Sequence, residues 1–294
     1  MEILATMKQE FTKQFGGQAE RSYFSPGRVN LIGEHTDYNG GHVFPCAISL
    51  GTYAVVADRK DMTTRIYSMN LADKGIIEFP MTGLSYDASK DWANYPMGVV
   101  DVFEKAGHKA THGFDILIYG TLPAGAGLSS SASLEVLTSV ILNEAFGFGL
   151  DMIEMVKLSQ KAENQFVGVN CGIMDQFAVG MGKKDCAILL DCNTLAYRSA
   201  RSRSRMRASS SRTRTSRTAS HLRPTTSAAH SASMRSTSSR KSSRASRRSA
   251  SSATMSSTRL PATSRKSSSV TVHAMLSTRT TARSMPSRLL RTTM

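Results

Sequence analysis

Phe114-Asp115-Ile116-Leu117-Ile118-Tyr119-Gly120-Thr121-Leu122-Pro123-Ala124-Gly125-Ala126-Gly127-Leu128-Ser129-Ser130-Ser131 holds three structural signals in a row. Phe114–Gly120 reads as a strand with a mostly apolar face. Pro123–Ser131 is rich in glycine and serine, and Leu134, Leu137, Ile141 and Ala145 then recur with helical spacing. Glycines let a backbone approach an anion closely, and the free amides of a helix start point toward one. A strand, a small-residue loop and a helix in this order therefore suit phosphate, although an ordinary strand-to-helix turn is also compatible. No Lys follows the glycines as in a Walker A loop. The HRD and DFG elements that accompany a protein-kinase glycine loop are missing too.

Outward from this stretch the chain alternates helices and strands. A helix opens the chain and closes at the Gly16-Gly17 turn; Val43–Asp58 and Arg65–Met69 read as strands. Tyr23–Gly41 packs charges, glycines and apolar residues too closely for a plain strand. A helix is expected over Trp92–Lys105, closing near Gly107. Another follows Asp151, with Glu154 three residues on as in a capping box, and Cys186–Asp191 forms a last strand. The fold class is α+β.

Composition divides the chain at Arg198. Among residues 199–294 there are 29 Ser, 19 Arg and 15 Thr, and no Asp, Glu, Gly, Asn, Gln, Cys, Phe, Tyr or Trp. The formal charge of +15 for all 294 residues thus belongs to this tail, and residues 1–198 are mildly acidic. Few large apolar residues remain there to offset the entropy of ordering, so 199–294 is expected to be a disordered basic segment. Arg201-Ser202-Arg203-Ser204-Arg205 resembles the RS segments of RNA-binding proteins. The abrupt loss of acids, glycines and aromatics is read instead as out-of-frame translation, with no specific nucleic acid and at most non-specific binding to one. No run of apolar residues is long enough to span a membrane. Met1-Glu2-Ile3-Leu4 lacks the basic and apolar regions of a secretory signal. Cys46, Cys171, Cys186 and Cys192 fit neither a disulfide framework nor a zinc site, and are expected as reduced thiols, mostly in the core. A cytoplasmic monomer is the expectation.

Several polar residues could carry phosphoryl transfer. Mg²⁺ takes hard oxygen ligands and few from protein, so Ser130 and one carboxylate would suffice. Glu163, in an inward stretch with Leu158, Ala162 and Phe166, is the candidate, against the alternative of a solvated helix glutamate. Asp175, isolated in Val169–Phe177, could accept a hydroxyl proton during attack on phosphorus, or could simply cap a helix. Arg28 offers a permanent forked charge for the transferred group. Glu34, His35 and Asp37 place several acceptors within four residues, which suits a polyhydroxylated ligand better than a metal.

Three of these segments carry a resemblance. Gly27-Arg28-Val29-Asn30-Leu31-Ile32-Gly33-Glu34-His35-Thr36-Asp37-Tyr38-Asn39-Gly40-Gly41 resembles the galactokinase signature of the GHMP kinase family. Leu122–Ala132 resembles the family's second motif, its phosphate loop. Gly168-Val169-Asn170-Cys171-Gly172-Ile173-Met174-Asp175-Gln176 is similar to the segment holding the family's catalytic aspartate. The resemblance covers residues 1–198 and implies a GHMP-kinase N-terminal domain, ribosomal protein S5 domain 2-like. It implies D-galactose and ATP as substrates and Mg²⁺ as cofactor. Glu34, His35, Thr36 and Asp37 would hold the sugar, with Arg28 and Asp175 catalytic. Ala124, Gly125, Ala126, Gly127, Leu128, Ser129 and Ser130 would wrap the ATP phosphates. Ser130 and Glu163 would take Mg²⁺, and Ser68 would lie by the nucleotide.

The family also carries a third glycine-rich motif and a sugar-contacting tyrosine in a second domain, and residues 199–294 contain neither residue type. The expectation is therefore little or no kinase activity from this chain. An N-acetylgalactosamine kinase or another GHMP sugar kinase, and a non-catalytic sugar sensor or RNA binder with a genuine basic tail, are the alternatives.

Overall fold

In the computed structural model, residues 2–201 are described. The tail's expected disorder lies, from residue 202 onward, outside the described residues. The chain order is α1 (Glu2–Phe15), β1 (Arg21–Asn30), β2 (His42–Val43), β3 (Pro45–Asp58), β4 (Thr63–Ser68) and β5 (Ile77–Pro80). It continues with α2 (Asn94–Lys105), β6 (Phe114–Gly120), α3 (Ser130–Phe146), α4 (Met152–Ala162), α5 (Met174–Met181), β7 (Cys186–Asp191) and β8 (Tyr197–Arg201). Five strands form one sheet in the order β1-β3-β6-β4-β5, antiparallel except for the β4–β6 pair. β2, β7 and β8 form a smaller antiparallel sheet, whose pairing carries through Arg201, beyond the compositional break at Arg198.

The period of two along the strands sorts the core into layers. On one face of the large sheet, Val55, Tyr67 and Leu117 pack with Met7 and Phe11 of α1. On the other, Ala54, Val56, Ile116 and Ile118 pack with Val99, Phe103, Leu137 and Ile141 of the helical layer. The small sheet has its own core, in which Val43, Ile188 and Leu190 meet Val156 of α4 and Phe177 of α5. α4 begins with the capping box expected at Asp151: its carboxylate accepts from the Glu154 amide, and Glu154 accepts from the Asp151 amide.

Two expectations are corrected. Ser199, Ala200 and Arg201, assigned to the disordered tail, are paired with β7 as part of β8. Arg21–Asn30 is a strand, paired with β3 along its length. Its crowded sequence is accommodated by an irregularity between Pro26 and Arg28, where the register shifts. α5 was not foreseen as a helix. Its short stretch of Met, Phe, Ala, Val and Gly has no polar face to mark a period, because Met174, Gln176, Phe177, Ala178, Val179 and Met181 are all buried.

Candidate active site

β6 delivers the chain into the glycine–serine loop, and α3 leaves it. Two features hold the loop in place. A side chain at Gly27 would collide with Leu122 and the Leu128 carbonyl, so only glycine lets β1 run this close beneath the loop. The Arg28 amide donates to the Leu128 carbonyl at 3.2 Å. Ser129 sits at φ 60°, ψ 53°, a left-handed conformation that costs a residue with a side chain of the order of 1–3 kcal/mol. Its hydroxyl donates to Asp175 Oδ2 at 2.5 Å, and this bond holds the residue there.

Arg28 and Asp175 form the centre. Arg28 Nε and Nη2 donate to Asp175 Oδ1 and Oδ2, both at 2.7 Å, while Nη1 donates to the Gly127 carbonyl at 2.6 Å. One guanidinium thus ties β1, the loop and α5 together, and forked geometry makes this a job for arginine. Around the pair lies a pocket of about 240 Å³, lined by Arg28, Asp175, Leu122, Pro123 and residues 125–131. That is less than the roughly 300–1,000 Å³ of a typical ligand pocket, so it suits the phosphate end of a ligand rather than a whole nucleotide. Pro123, Ala124, Gly125, Gly127 and Ser130 are exposed, which leaves one side of the pocket open to water.

The other expected residues surround this centre without all entering it. Glu34 and His35 are exposed on the loop after β1, and Thr36 and Asp37 are half-buried there. His35 Nδ1 lies 2.6 Å from the Tyr38 hydroxyl, and the Thr36 hydroxyl is within hydrogen-bonding reach of the Gly33 and His42 carbonyls. Gly172 brings this loop to the segment before α5: any side chain there would collide with the Asp37 carboxylate. Ala124 stands outside the pocket lining. Ser68 is buried at the end of β4, opposite Ile118, and is not among the lining residues.

Glu163 is buried, in a π-helical turn (Glu163–Val167) that follows α4, and so is not the solvated glutamate. It belongs to a polar cluster that sequence reasoning did not find. Gln176 Nε2 donates to Glu163 Oε2 at 2.6 Å and to Glu135 Oε2 at 2.9 Å. The Cys171 thiol lies 3.4 Å from Glu163 Oε2. Burial pushes the Glu163 carboxyl up, against the hydrogen bonds from Cys171, Ser131 and Gln176. Glu135 is pushed up to about 9, first by burial and then by the charge of Glu163. Cys171 is raised as well, by burial and then by Glu163. The signal for Glu135 was available: an acid between Leu134 and Val136, in a helix apolar on every side, has no solvated face to occupy.

The residues fit a divalent cation in donor chemistry. Ser130 supplies a hydroxyl in the pocket, Glu163 a carboxylate, and Glu135 Oε1 and Gln176 Oε1 are buried oxygens without a hydrogen-bond partner. These are hard oxygens throughout. Among the described residues no group of three or more His, Cys, Asp or Glu is arranged to hold a metal ion, so a cation held here would depend on phosphate oxygens for the rest of its shell.

The cysteines are free; Cys46 is buried and Cys171, Cys186 and Cys192 are half-buried. No helix among the described residues is long and apolar enough to cross a membrane.

Known proteins resemble this chain along the same residues. Residues 9–58 match the galactokinase galactose-binding signature, and residues 94–183 match the GHMP kinases N terminal domain. A galactokinase of Clostridium beijerinckii is 57% identical over 197 residues, which make up 67% of this chain and 51% of that protein. The structure of Lactococcus lactis galactokinase complexed with galactose superimposes with a TM-score of 0.66 at 44% identity, covering 68% of this chain and 52% of the other. Methanococcus jannaschii mevalonate kinase shares the fold, with a TM-score of 0.53 at 18% identity, covering 62% of this chain and 56% of its own. The chain spans about half the length of the curated relatives it matches.

Proposed function

We propose, for a chain that belongs to the galactokinases of the GHMP kinase family, that residues 1–198 are the sugar- and phosphate-holding part of an enzyme transferring the γ-phosphoryl group of ATP to the C1 hydroxyl of D-galactose. The observation that carries this reading is the forked Arg28–Asp175 pair facing the glycine–serine loop at the head of α3. Bound Mg²⁺ would neutralise phosphate charge, with Ser130 and Glu163 as its protein ligands. Residues Ala124–Ser130 cradle phosphate oxygens with backbone amides, and Arg28 stabilises charge that develops on the transferred group. Asp175 takes up or anchors the proton of the attacking hydroxyl. Glu34, His35, Thr36 and Asp37 orient the sugar, and Gly172 lets their loop pack against the segment that precedes α5. Ser68 lies toward the nucleotide. The site of action proposed is the cytosol, where free cysteines stay reduced.

The test is calorimetric titration of the full chain with D-galactose and N-acetylgalactosamine, beside a coupled assay of ADP release. Galactose is expected to bind in preference to N-acetylgalactosamine, and Asp37→Ala is expected to abolish binding. Turnover is expected far below that of a full-length galactokinase, because the open side of the pocket leaves the reacting groups in water and weakens every electrostatic contact. Absence of sugar binding, or binding indifferent to Asp37→Ala, would overturn the reading.

A further inference from the structure

Gln176 sits one residue after Asp175 and is wholly buried. Its amide nitrogen spans two acids from two other elements, Glu135 on α3 at 2.9 Å and Glu163 on the π turn at 2.6 Å. A primary amide has two N–H donors, so each carboxyl receives one. The helix carrying Asp175, the helix leaving the phosphate loop and the turn carrying Glu163 therefore meet at a single neutral side chain.

We propose that Gln176 is a positioning residue: through its hydrogen bond it fixes the direction in which Glu163 presents a carboxylate to a divalent cation. This rests on the reading that Glu163 is a ligand of that cation. Swinging the Glu163 carboxyl away breaks the 2.6 Å bond and leaves a buried donor without a partner. Swinging it back restores that bond without any change of charge. Gln176 thus acts by geometry alone. Groups that orient a metal ligand in this way typically govern about 10–100-fold in metal affinity.

The experiment follows Mn²⁺, a paramagnetic stand-in for Mg²⁺, binding to the full chain in the presence of inorganic phosphate, which supplies the remaining oxygen ligands, by electron paramagnetic resonance of the free ion. Gln176→Met keeps the length and bulk of the side chain, removes both donors and leaves the charge unaltered. It is expected to weaken Mn²⁺ binding about 10–100-fold, with a cooperative melting transition retained. Should Gln176→Met lose that transition, Gln176→Asn carries the test, since its shorter amide cannot reach both acids; the same weakening is expected. Glu163→Gln separates the two levels of the argument. If it abolishes Mn²⁺ binding while the folded Gln176 variant binds like the wild type, the positioning role is overturned and the ligand role of Glu163 stands. If the wild type takes up no Mn²⁺, or Glu163→Gln binds it unchanged, the cation reading itself falls, and the positioning role with it. Loss of the melting transition in both Gln176 variants also overturns the proposal, because the amide would then serve the fold alone.

Discussion

The loop Leu31–Gly41 follows the strand that carries Arg28, and the pocket at residues 125–131 is lined by Arg28 itself, yet the two are held by different physics. The pocket is tied to the core: Arg28, Ser129 and Asp175 bond to one another, and α5 behind them is buried along most of its length. The other loop is held by its own turns and by backbone bonds to Phe44 and Cys192, with Leu31 44%, Ile32 67% and Tyr38 58% exposed. A site whose phosphate half is built into the core and whose sugar half is surface loop should respond to mutation in two distinct ways.

The largest contrast is expected at Phe177. It is fully buried between α5 and the small sheet, with its ring 5.3 Å from that of Tyr197. Phe177→Ala should cost about 3–5 kcal/mol in urea unfolding followed by circular dichroism, as other buried phenylalanines do. If it costs less than about 1 kcal/mol, α5 is not the anchor of the phosphate half, and the contrast between the two regions collapses.

Next comes Arg28. Removing one partner of a half-buried, bidentate pair leaves the other charge without its partner. Arg28→Ala is expected to lower stability by about 2–3 kcal/mol by the same measurement. Arg28→Lys should recover less than half of this, because an ammonium cannot match both carboxylate oxygens and the Gly127 carbonyl at once. Full recovery by lysine would show that charge, not forked geometry, joins β1, loop and α5.

The same division decides what could be read from the sequence. α3 and α4 were visible because their ends carry local signals: the glycine–serine loop before one, Asp151 and Glu154 before the other. Arg28 and Asp175 could be named as candidates, but their pairing could not be read, since 147 positions separate them and only the fold closes that distance. β1 was hidden by Pro26 and Gly27, which are tolerated because the register shifts there. Glu135 and Gln176 were passed over for a related reason. Glu135 is a lone acid in an apolar run and Gln176 stands in the shadow of Asp175, and the role of each depends on a partner on another element.

A pH effect should set the buried cluster apart from the exposed loop. Glu135 has a folded-state pKa pushed up to about 9 by burial and then by Glu163, whereas an exposed glutamate titrates near about 4.3. The folded chain therefore keeps a proton that the unfolded chain releases. This contribution to stability is fully present below about pH 4.3 and is lost as pH rises toward the folded value. Its slope is at most about 1.4 kcal/mol per pH unit for one proton. Glu163, also raised, adds in the same direction. Urea midpoints measured between pH 5 and pH 9 should fall steadily in the wild type and less steeply in Glu135→Gln, where Glu163 alone remains. An unchanged slope in the variant would show that water reaches the cluster and the acids are solvated.

The smallest effect is expected in the exposed loop, and it tests the other side of the comparison. Ile32 is 67% exposed, so little of its side chain is withdrawn from water on folding, and polar replacement removes almost no burial. Ile32→Ser should change stability by less than about 0.5 kcal/mol, a tenth of the effect at Phe177. Its consequence should appear between molecules instead. Leu31, Ile32 and Tyr38 place apolar surface on one loop, and surface of this kind favours association. Static light scattering of the full chain should therefore show less self-association in Ile32→Ser than in the wild type at equal concentration. A stability loss above about 1 kcal/mol would mean that Ile32 is packed in solution, and that the sugar loop is as firmly built as the pocket beside it.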